Sequence, residues 1–280
     1  MWQKSKLEKH VLSPRAKKQL CGCGILSFFL DTIGVGSFAI NIAIGKTFGL
    51  IKDRALPAFA NGAQVLPGAV SALFFMKFIP VDAVTLFSLV MATTVGGALG
   101  GVLISSLNTH YLKIVMIMAF VSIALLLIAT EFRLVSIGGS ATALSGSKLW
   151  MASLLMVVSG ALTAAGVGLF AMTQAVLFLF GMSPIVAFPI MTVAGAVSQP
   201  VTSMVFSYKN EIPQKESLIV GVAGLIGVAL ALPLVANLSP TGLHFLLASV
   251  LIYNSIRVGL TFREGQREFR SFSEDTHLKN

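Results

Sequence analysis

The chain alternates long apolar stretches with short polar connections. In lipid, backbone amides find no water partner, so a stretch that crosses the membrane must bond within a helix or a closed barrel. A β-barrel would need alternating strands of about 10 residues, whereas these stretches are longer and uniformly apolar. The pattern predicts an all-α integral membrane protein. The stretches cover residues 20–50, 56–76, 83–107, 111–130, 150–181, 184–207, 218–235 and 242–260.

The first stretch of each half is too long for one upright helix. Residues 20–50 would form a helix of about 46 Å, against a hydrocarbon core of about 30 Å. No Asp, Glu, Lys, Arg or His occurs in residues 149–208. As one continuous helix, this uncharged stretch would be about 90 Å long, or about three times the thickness of the hydrocarbon core. A Gly-x-Gly lies near the middle of each long stretch, where a helix breaks at little cost. We therefore expect each to form two half-helices.

An internal repeat relates the two halves of the chain. Residues 30–39 and 162–171 are identical at six of ten positions, at an offset of 132. Proline and glycine fall in register in the helices that follow, which chance apolar matches do not easily produce. The sequence predicts two homologous repeats, each with a Gly-broken first segment plus three transmembrane helices, as in many secondary transporters. The matched pairs are Pro57 with Pro189, Gly62 with Gly195, Pro67 with Pro200, Gly97 with Gly224, and Gly100 with Gly227.

The orientation of the repeats depends on the broken segments. If each forms a re-entrant hairpin, a repeat makes three full crossings, and we expect the two repeats to be inverted. Eight plain crossings with parallel repeats stay open as the alternative, because both topologies place most Lys and Arg on one side. The predicted parts are a basic cytoplasmic arm (1–18), repeat 1 (19–132), a Gly/Ser linker (133–149), repeat 2 (150–262) and a charged cytoplasmic tail (263–280).

Composition and charge agree with a membrane protein. Hydrophobic residues make up 55% of the 280 positions and charged residues 11%, whereas soluble domains are about 25% charged. The net charge of +9 is concentrated in the two termini, as expected for helix ends held on the cytoplasmic side. We therefore expect both termini in the cytoplasm, the lipid bilayer as a partner, and no nucleic acid.

The glycine pairs Gly34/Gly36 and Gly166/Gly168 are candidate substrate-binding positions. Glycines at a helix break expose backbone N–H groups, and the N-terminus of a half-helix carries about half a positive charge. Two such ends near the midplane would bind an anion without a buried Lys or Arg. Close helix packing through small residues is the alternative interpretation of these glycines.

Asp31 is the strongest single candidate for a functional residue. It lies within the first apolar stretch, just before Gly34. An ionisable group in a membrane costs about 2.5–3.5 kcal/mol on insertion scales, so it is a functional candidate by default. We expect Asp31 to carry a proton that couples to anion movement. Capping of a half-helix at the break is the alternative, since Asp caps helix N-termini well.

Neutral polar side chains follow each break. Amides and hydroxyls offer donors for the oxygens of an anion, and the nearby prolines loosen the helices and free backbone groups. Hydrogen bonding between helices is the alternative, worth about 0.6 kcal/mol on average. The candidate substrate-binding residues are Asn41, Asn61, Gln64, Thr173, Gln174, Ser198 and Gln199.

With a Gly-x-Gly inside a long first helix, repeated in the second half, and Gly-rich third segments, the chain resembles the TauE/SafE family of sulfite and organosulfonate exporters. The resemblance covers residues 20–262. It implies export, or less often uptake, of a small sulfur-containing anion such as sulfite or an organosulfonate. It also implies an ion gradient, here expected to be of protons, as the driving force, and the inner membrane of a bacterium as the location.

Other function classes lack their motifs in this sequence. No GxxxxGK[ST], GxSxG or HExxH occurs, and no His, Cys, Asp and Glu cluster has metal-ligand spacing, so we expect neither enzyme activity, nor a cofactor, nor a metal site. A secondary transporter working by alternating access about a midplane site is the leading hypothesis. An anion channel and an uptake transporter for another small organic anion remain alternatives, and a homodimer remains open.

Overall fold

A computed structural model describes residues 12–106, 139–166, 168–209 and 212–237. Eight α-helices and one short 3-10 turn, at Asp53–Ala55, make up these parts, which contain no β-strand. The predicted stretches 111–130 and 242–260 lie outside the described residues. The helices are α1 Pro14–Thr32, α2 Ser37–Thr47, α3 Leu56–Phe78, α4 Ala83–Ser106, α5 Gly146–Ala164, α6 Leu169–Leu179, α7 Pro184–Tyr208 and α8 Gln214–Ala236.

Five of these helices, α3, α4, α5, α7 and α8, are long and apolar enough to cross a membrane. Their outer faces carry exposed large apolar side chains, among them Leu73, Phe87, Leu103, Trp150 and Leu218, which water would not tolerate over so wide an area. The prediction of an all-α, multi-pass membrane protein is confirmed at this level.

Three helices begin before the predicted apolar stretches: α1 at Pro14 where the stretch begins at residue 20, α5 at Gly146 where it begins at 150, and α8 at Gln214 where it begins at 218. Ser13 caps α1, because its hydroxyl accepts from the Ala16 backbone N–H (3.1 Å). Pro14 then fits the first helical position, where its missing N–H is not needed. The helix thus includes the last residues of the arm predicted at 1–18. The helix α5 also begins earlier than predicted, at Gly146 inside the linker predicted at 133–149, but without a side-chain cap.

Both halves have the same helix order and the same packing partners. Each contains a helix of 19 residues, one of 11, and then two of 23 to 25. The first helix of each half packs against the last described helix of the other half, as α1 with α8 and α5 with α4. The helices α3 and α7 cross at the centre, and α3 also contacts α8 as α7 contacts α4. Exchanging the halves leaves this scheme unchanged.

Glycine seams join the halves at close range. A methyl group on Gly96 would collide with the Val157 carbonyl, and one on Gly100 would lie 2.5 Å from the Ala161 Cα. Gly100 comes four residues after Gly96, and its contact Ala161 comes four residues after Val157. The two helices α4 and α5 therefore run parallel. The same geometry joins α8 to α1, where a methyl group on Gly227 would collide with the Ile25 carbonyl. Small residues allow this backbone contact between membrane helices.

The central helices α3 and α7 run antiparallel. The Phe75 and Phe188 rings lie 5.4 Å apart, and Gly68, about two turns earlier on α3, lies beside Gln199, further along α7. The residues that meet therefore run in opposite order along the two helices.

The short helix α2 reverses the chain. Ser217 Oγ donates to the Phe59 carbonyl (3.3 Å), and Gly221 lies beside Ala63, so α8 runs parallel to α3. Because α1 also runs parallel to α8, α1 and α3 point the same way, and the segment between them must turn back. Gly45 near the end of α2 faces Leu56 at the start of α3. The first segment is therefore a hairpin of two half-helices.

Candidate functional site

The first helix break lies between Thr32 and Ser37. Gly34 has φ 101° and Gly36 has φ 86°, both on the side of the Ramachandran map that L side chains rarely adopt. The prediction that the Gly-x-Gly interrupts this segment is confirmed by the helix bounds. The positive end of α2 therefore lies inside the protein, next to the end of α1.

Asp31 occupies the positive end of α2. The Ser37 backbone N–H donates to Asp31 Oδ1 (2.6 Å), and Gln64 Nε2 donates to Asp31 Oδ2 (2.7 Å). The Ser37 hydroxyl completes the ring by donating to Gln64 Oε1. Asp31 is only 4% exposed. The carboxylate thus makes the capping contact that the sequence allowed as one interpretation, and its role in proton coupling stays a prediction.

The second break, between Ala164 and Leu169, has a different chemistry. Gly166 has φ 95°, but Gly168 has φ −59°, an ordinary value. Thr163 is the counterpart of Asp31, and its hydroxyl donates to the Ser159 carbonyl of its own helix (2.8 Å). Among the described residues, no side chain accepts from the first turn of α6. The positive end of α6 therefore has no internal counter-charge in the described structure.

The two breaks lie against each other. Asn61 Nδ2 on α3 donates to the carbonyl of Thr163 (3.1 Å) as well as to that of Pro57 (2.9 Å), so the first half closes the carbonyl end of α5. A methyl group on Gly168 would lie 3.8 Å from Phe38 Cβ in the first turn of α2. The half-helix ends of both repeats therefore meet beside the crossing of α3 and α7.

Two glutamines flank this crossing. A methyl group on Gly68 would lie 3.5 Å from Gln64 Cγ and 3.7 Å from Gln199 Oε1. One on Gly195 would lie 3.3 Å from Gln199 Oε1 and 3.6 Å from the Leu169 side chain. Gln64 is thus bound to the first break, while Gln199 lies between the crossing and the first turn of α6.

Six buried side-chain atoms around the breaks and the crossing have no hydrogen-bond partner in the described structure. Such a group typically costs about 1–3 kcal/mol, and native structures keep only a few per hundred residues. Four of the six form two pairs at the repeat offset of 132, Asn41 with Thr173 and Ser71 with Ser203, so both repeats carry unpartnered polar groups at equivalent positions. The atoms are Asn41 Nδ2, Asn61 Oδ1, Ser71 Oγ, Thr173 Oγ1, Gln199 Oε1 and Ser203 Oγ.

The predicted polar residues are all buried, but they do not form one cluster. Asn41 on α2 accepts from the Cys23 thiol through Oδ1 (3.4 Å). Ser198 lies towards α4, where a methyl group on Gly97 would be 3.7 Å from its Cβ. Thr173 and Gln174 lie in the second turn of α6. The structure therefore brings Gln64 and Gln199 to the same glycine, Gly68, at the crossing, whereas Asn41 lies against α1 and Ser198 against α4.

Sequence reasoning missed Ser71 and did not include Ser203 among the site residues. Buried hydroxyls in these helices usually donate to the carbonyl four residues earlier, as those of Thr32 and Thr93 do. Ser71 and Ser203 make no such bond. Their shared offset of 132 in the sequence was the available signal.

No three His, Cys, Asp or Glu side chains group together in the residues that the structure describes. The described charged side chains other than Asp31 lie in loops or near helix ends. Any anion that enters the site would therefore be held by neutral donors and half-helix ends among these residues.

Comparison with known proteins gives no further guide to this site. No protein-family model matches the chain, and searches of curated proteins and of solved structures find no significant match. The resemblance to the TauE/SafE family therefore stays a prediction.

Proposed function

We propose that this chain is a secondary membrane transporter that exports a small anion by alternating access. The observation that carries the proposal is the set of six unpartnered polar atoms around the two helix breaks. A purely structural membrane protein would bond these groups internally, because irregular backbone and free polar groups at membrane depth are tolerated mainly around a cavity. A transporter leaves them free for its substrate.

The chemistry of the site favours an anion. Two half-helices point their N-terminal ends at the same region, and such ends attract negative charge. Hydroxyl and amide groups supply additional donors. The TauE/SafE resemblance narrows the class to a sulfur-containing anion such as sulfite or an organosulfonate.

Inverted repeats belong to the same proposal. Parallel repeats would require the equivalent helices α3 and α7 to point the same way, whereas their contacts run in opposite order. The turn at α2 also supports a re-entrant hairpin in place of two crossings. A cysteine introduced at Ser145 tests this: it should react with a membrane-impermeant thiol reagent from outside the cell. Labelling from inside only would exclude the inverted arrangement.

The basic residues support cytoplasmic termini. The membrane end at which α1, α3 and α8 begin carries most of the described Lys and Arg, and such residues accumulate on the cytoplasmic side. The opposite end carries Lys77 and Lys148. We assign the protein to the inner membrane of a bacterium, following the family resemblance. The basic residues of the cytoplasmic end are Arg15, Lys17, Lys18, Lys46, Lys52, Arg54, Lys209 and Lys215.

Proton coupling through Asp31 completes the proposal. Its carboxylate caps α2 and is bound by Gln64, so a proton on Asp31 would replace an acceptor at this helix end by a neutral group and loosen the hairpin. Thr163 at the equivalent position cannot titrate. Coupling would therefore act through the first break alone.

Flux measurements in proteoliposomes test the function. Vesicles loaded with sulfite, thiosulfate or methanesulfonate are compared with and without a pH gradient, for the wild type and for Asp31→Asn. We expect one of the anions to move, the pH gradient to accelerate it, and the variant to lose only the acceleration. Asn keeps the capping acceptor but cannot carry the proton.

The same measurement separates the alternatives. An anion channel would pass its ion much faster and without response to the pH gradient, and an importer would work in the opposite direction. If no sulfur anion moves through correctly folded protein, the sulfur substrate class is wrong, and carboxylates are the next anions to test.

A further inference from the structure

The two helix breaks differ in electrostatics although their sequences are related by the repeat. At the first break, the Ser37 N–H is bound by a carboxylate from inside the protein. Leu169 is the counterpart of Ser37 at the offset of 132, and no described side chain accepts from its N–H. Only one of the two half-helix ends is therefore free for an external anion.

A second, independent observation points to the free end. Gln199 is 1% exposed, its Oε1 has no partner, and it lies beside Gly195 on the side where Leu169 packs. Its amide makes no hydrogen bond to another described residue, so it can rotate by 180° and present its two N–H donors there. Thr173, one turn into α6, is fully buried with a free hydroxyl.

We propose that the transported anion binds at the second break alone, at the N-terminal end of α6 with Gln199 and Thr173 as side-chain donors. The inference rests on the proposed function and divides it between the repeats. The first break, sealed by Asp31, Gln64 and Ser37, takes no anion, because the carboxylate occupies that place and repels a second negative charge. The ligand class is a small oxyanion of sulfur.

Transplanting the carboxylate tests this division. In Thr163→Asp, the new carboxylate stands where Asp31 stands in the first repeat, and it can cap the Leu169 N–H. Binding of ³⁵S-thiosulfate to protein in nanodiscs, with sulfite and methanesulfonate as competitors, is measured for Thr163→Asp, for the neutral control Thr163→Val, which has no acceptor for the Leu169 N–H, and for Asp31→Asn. We expect Thr163→Asp to weaken binding about tenfold or more. Thr163→Val should stay within about threefold of the wild type, and Asp31→Asn should bind no more weakly than the wild type.

A second pair of variants guards against misfolding of Thr163→Asp. Thr173→Val removes the free hydroxyl at nearly constant volume and should weaken binding. Thr192→Val is the matched control, because the Thr192 hydroxyl on α7 already donates to the Phe188 and Pro189 carbonyls (3.0 and 3.1 Å). Gel filtration and the thermal midpoint report whether each variant folds.

The outcomes separate the inference from the function on which it rests. Equal binding by Thr163→Asp and Thr163→Val, or loss of binding in Asp31→Asn, would overturn the placement at the second break while leaving the transporter proposal intact. A folded wild type that neither binds nor transports any of the three anions would overturn both.

Discussion

The two repeats are alike in how their helices pack and unlike in how their broken helices end. The seams of α4 with α5 and of α8 with α1 use glycine at corresponding positions, and both bring backbone into contact with backbone. At the breaks, the first repeat places Asp31 against the positive end of the half-helix. In the second repeat the counterpart of Asp31 is Thr163, whose hydroxyl donates to the Ser159 carbonyl of its own helix.

This difference separates what the scaffold needs from what the chemistry needs. Packing must suit both halves, because they exchange equivalent contacts across the same crossing. The proposed coupling group and substrate site need not be duplicated, because a carboxylate in each break would repel an anion from both half-helix ends. The close glycine packing is therefore shared by both halves. A carboxylate caps the half-helix only at the first of the two breaks.

The largest effect is expected where the repeats are alike. Gly100→Leu on α4 and Gly227→Leu on α8 should each prevent folding, because the added side chain meets backbone of the neighbouring helix. Overpacking commonly costs about 1–3 kcal/mol, and a backbone obstacle that cannot rotate away places both changes at or above the top of that range. The yield of monodisperse protein in mild detergent measures the effect.

Gly22→Leu on α1 is the control, since nothing lies within 4 Å of a methyl group there. It should leave the yield unchanged. If only one of the two seam variants loses its yield of folded protein, the two seams are not equivalent. The conclusion that the repeats pack alike would then be wrong.

The next effect is expected at the two glutamines. Gln64→Leu leaves an oxygen of the Asp31 carboxylate and the Ser37 hydroxyl without their partner, and a hydrogen bond to a charged group is worth about 1.5–3 kcal/mol. Gln199→Leu removes a polar group that has no partner to lose, so its effect on the free energy of unfolding should be near zero or stabilising. Denaturant midpoints in detergent measure both.

Equal losses of stability in the two glutamine variants would contradict the structural difference between the breaks. A loss in Gln199→Leu alone would mean that this amide has a structural role. A loss of thiosulfate binding in that variant without a loss of stability would sharpen the assignment of the second break as the substrate site.

The sequence predicts the helices and their breaks better than the side-chain contacts of the candidate site, for physical reasons. Segment length, the bilayer thickness and two Gly-x-Gly motifs together require the breaks at residues 33–36 and 165–168. The bond from Gln64 to Asp31 could not be foreseen, because it joins residues 33 positions apart through the fold. Gly168 matches Gly36 in sequence yet adopts a φ open to any residue. Motif symmetry thus overstated the symmetry of the backbone.

A smaller effect is expected from these two glycines. Gly36→Ala finds open space but must adopt φ 86°, which costs a residue with a side chain on the order of 1–3 kcal/mol. Gly168→Ala, at φ −59° and with only an ordinary contact to Phe38, should cost about zero. Thermal midpoints of the purified variants compare them. Similar losses in both would indicate that the second break needs glycine for a reason other than φ.

The smallest effect concerns the start of the last described helix in each repeat. Asp82 caps α4, accepting from the Thr85 backbone N–H (2.8 Å) and hydroxyl (2.7 Å), whereas α8 starts after Pro213 without a side-chain cap. These hydrogen bonds hold the pKa of Asp82, which lies outside the membrane-spanning segments, below its ordinary value of 3.8. Thr85 also accepts from the Leu144 N–H (2.9 Å), so the cap helps to hold the loop before α5.

A lowered pKa in the folded state adds stability above the pKa of the unfolded chain, and this stability is lost as the pH falls through the folded value. Between pH 7 and pH 3, the thermal midpoint of the wild type should therefore fall slightly further than that of Asp82→Asn, which caps the helix but does not titrate. Because Asp82 is exposed, the difference should be small and should shrink in high salt. Parallel pH curves for the two proteins would mean that the carboxylate is bound no more tightly in the folded chain than in the unfolded one. The start of α4 would then differ from that of α8 in geometry but not in charge.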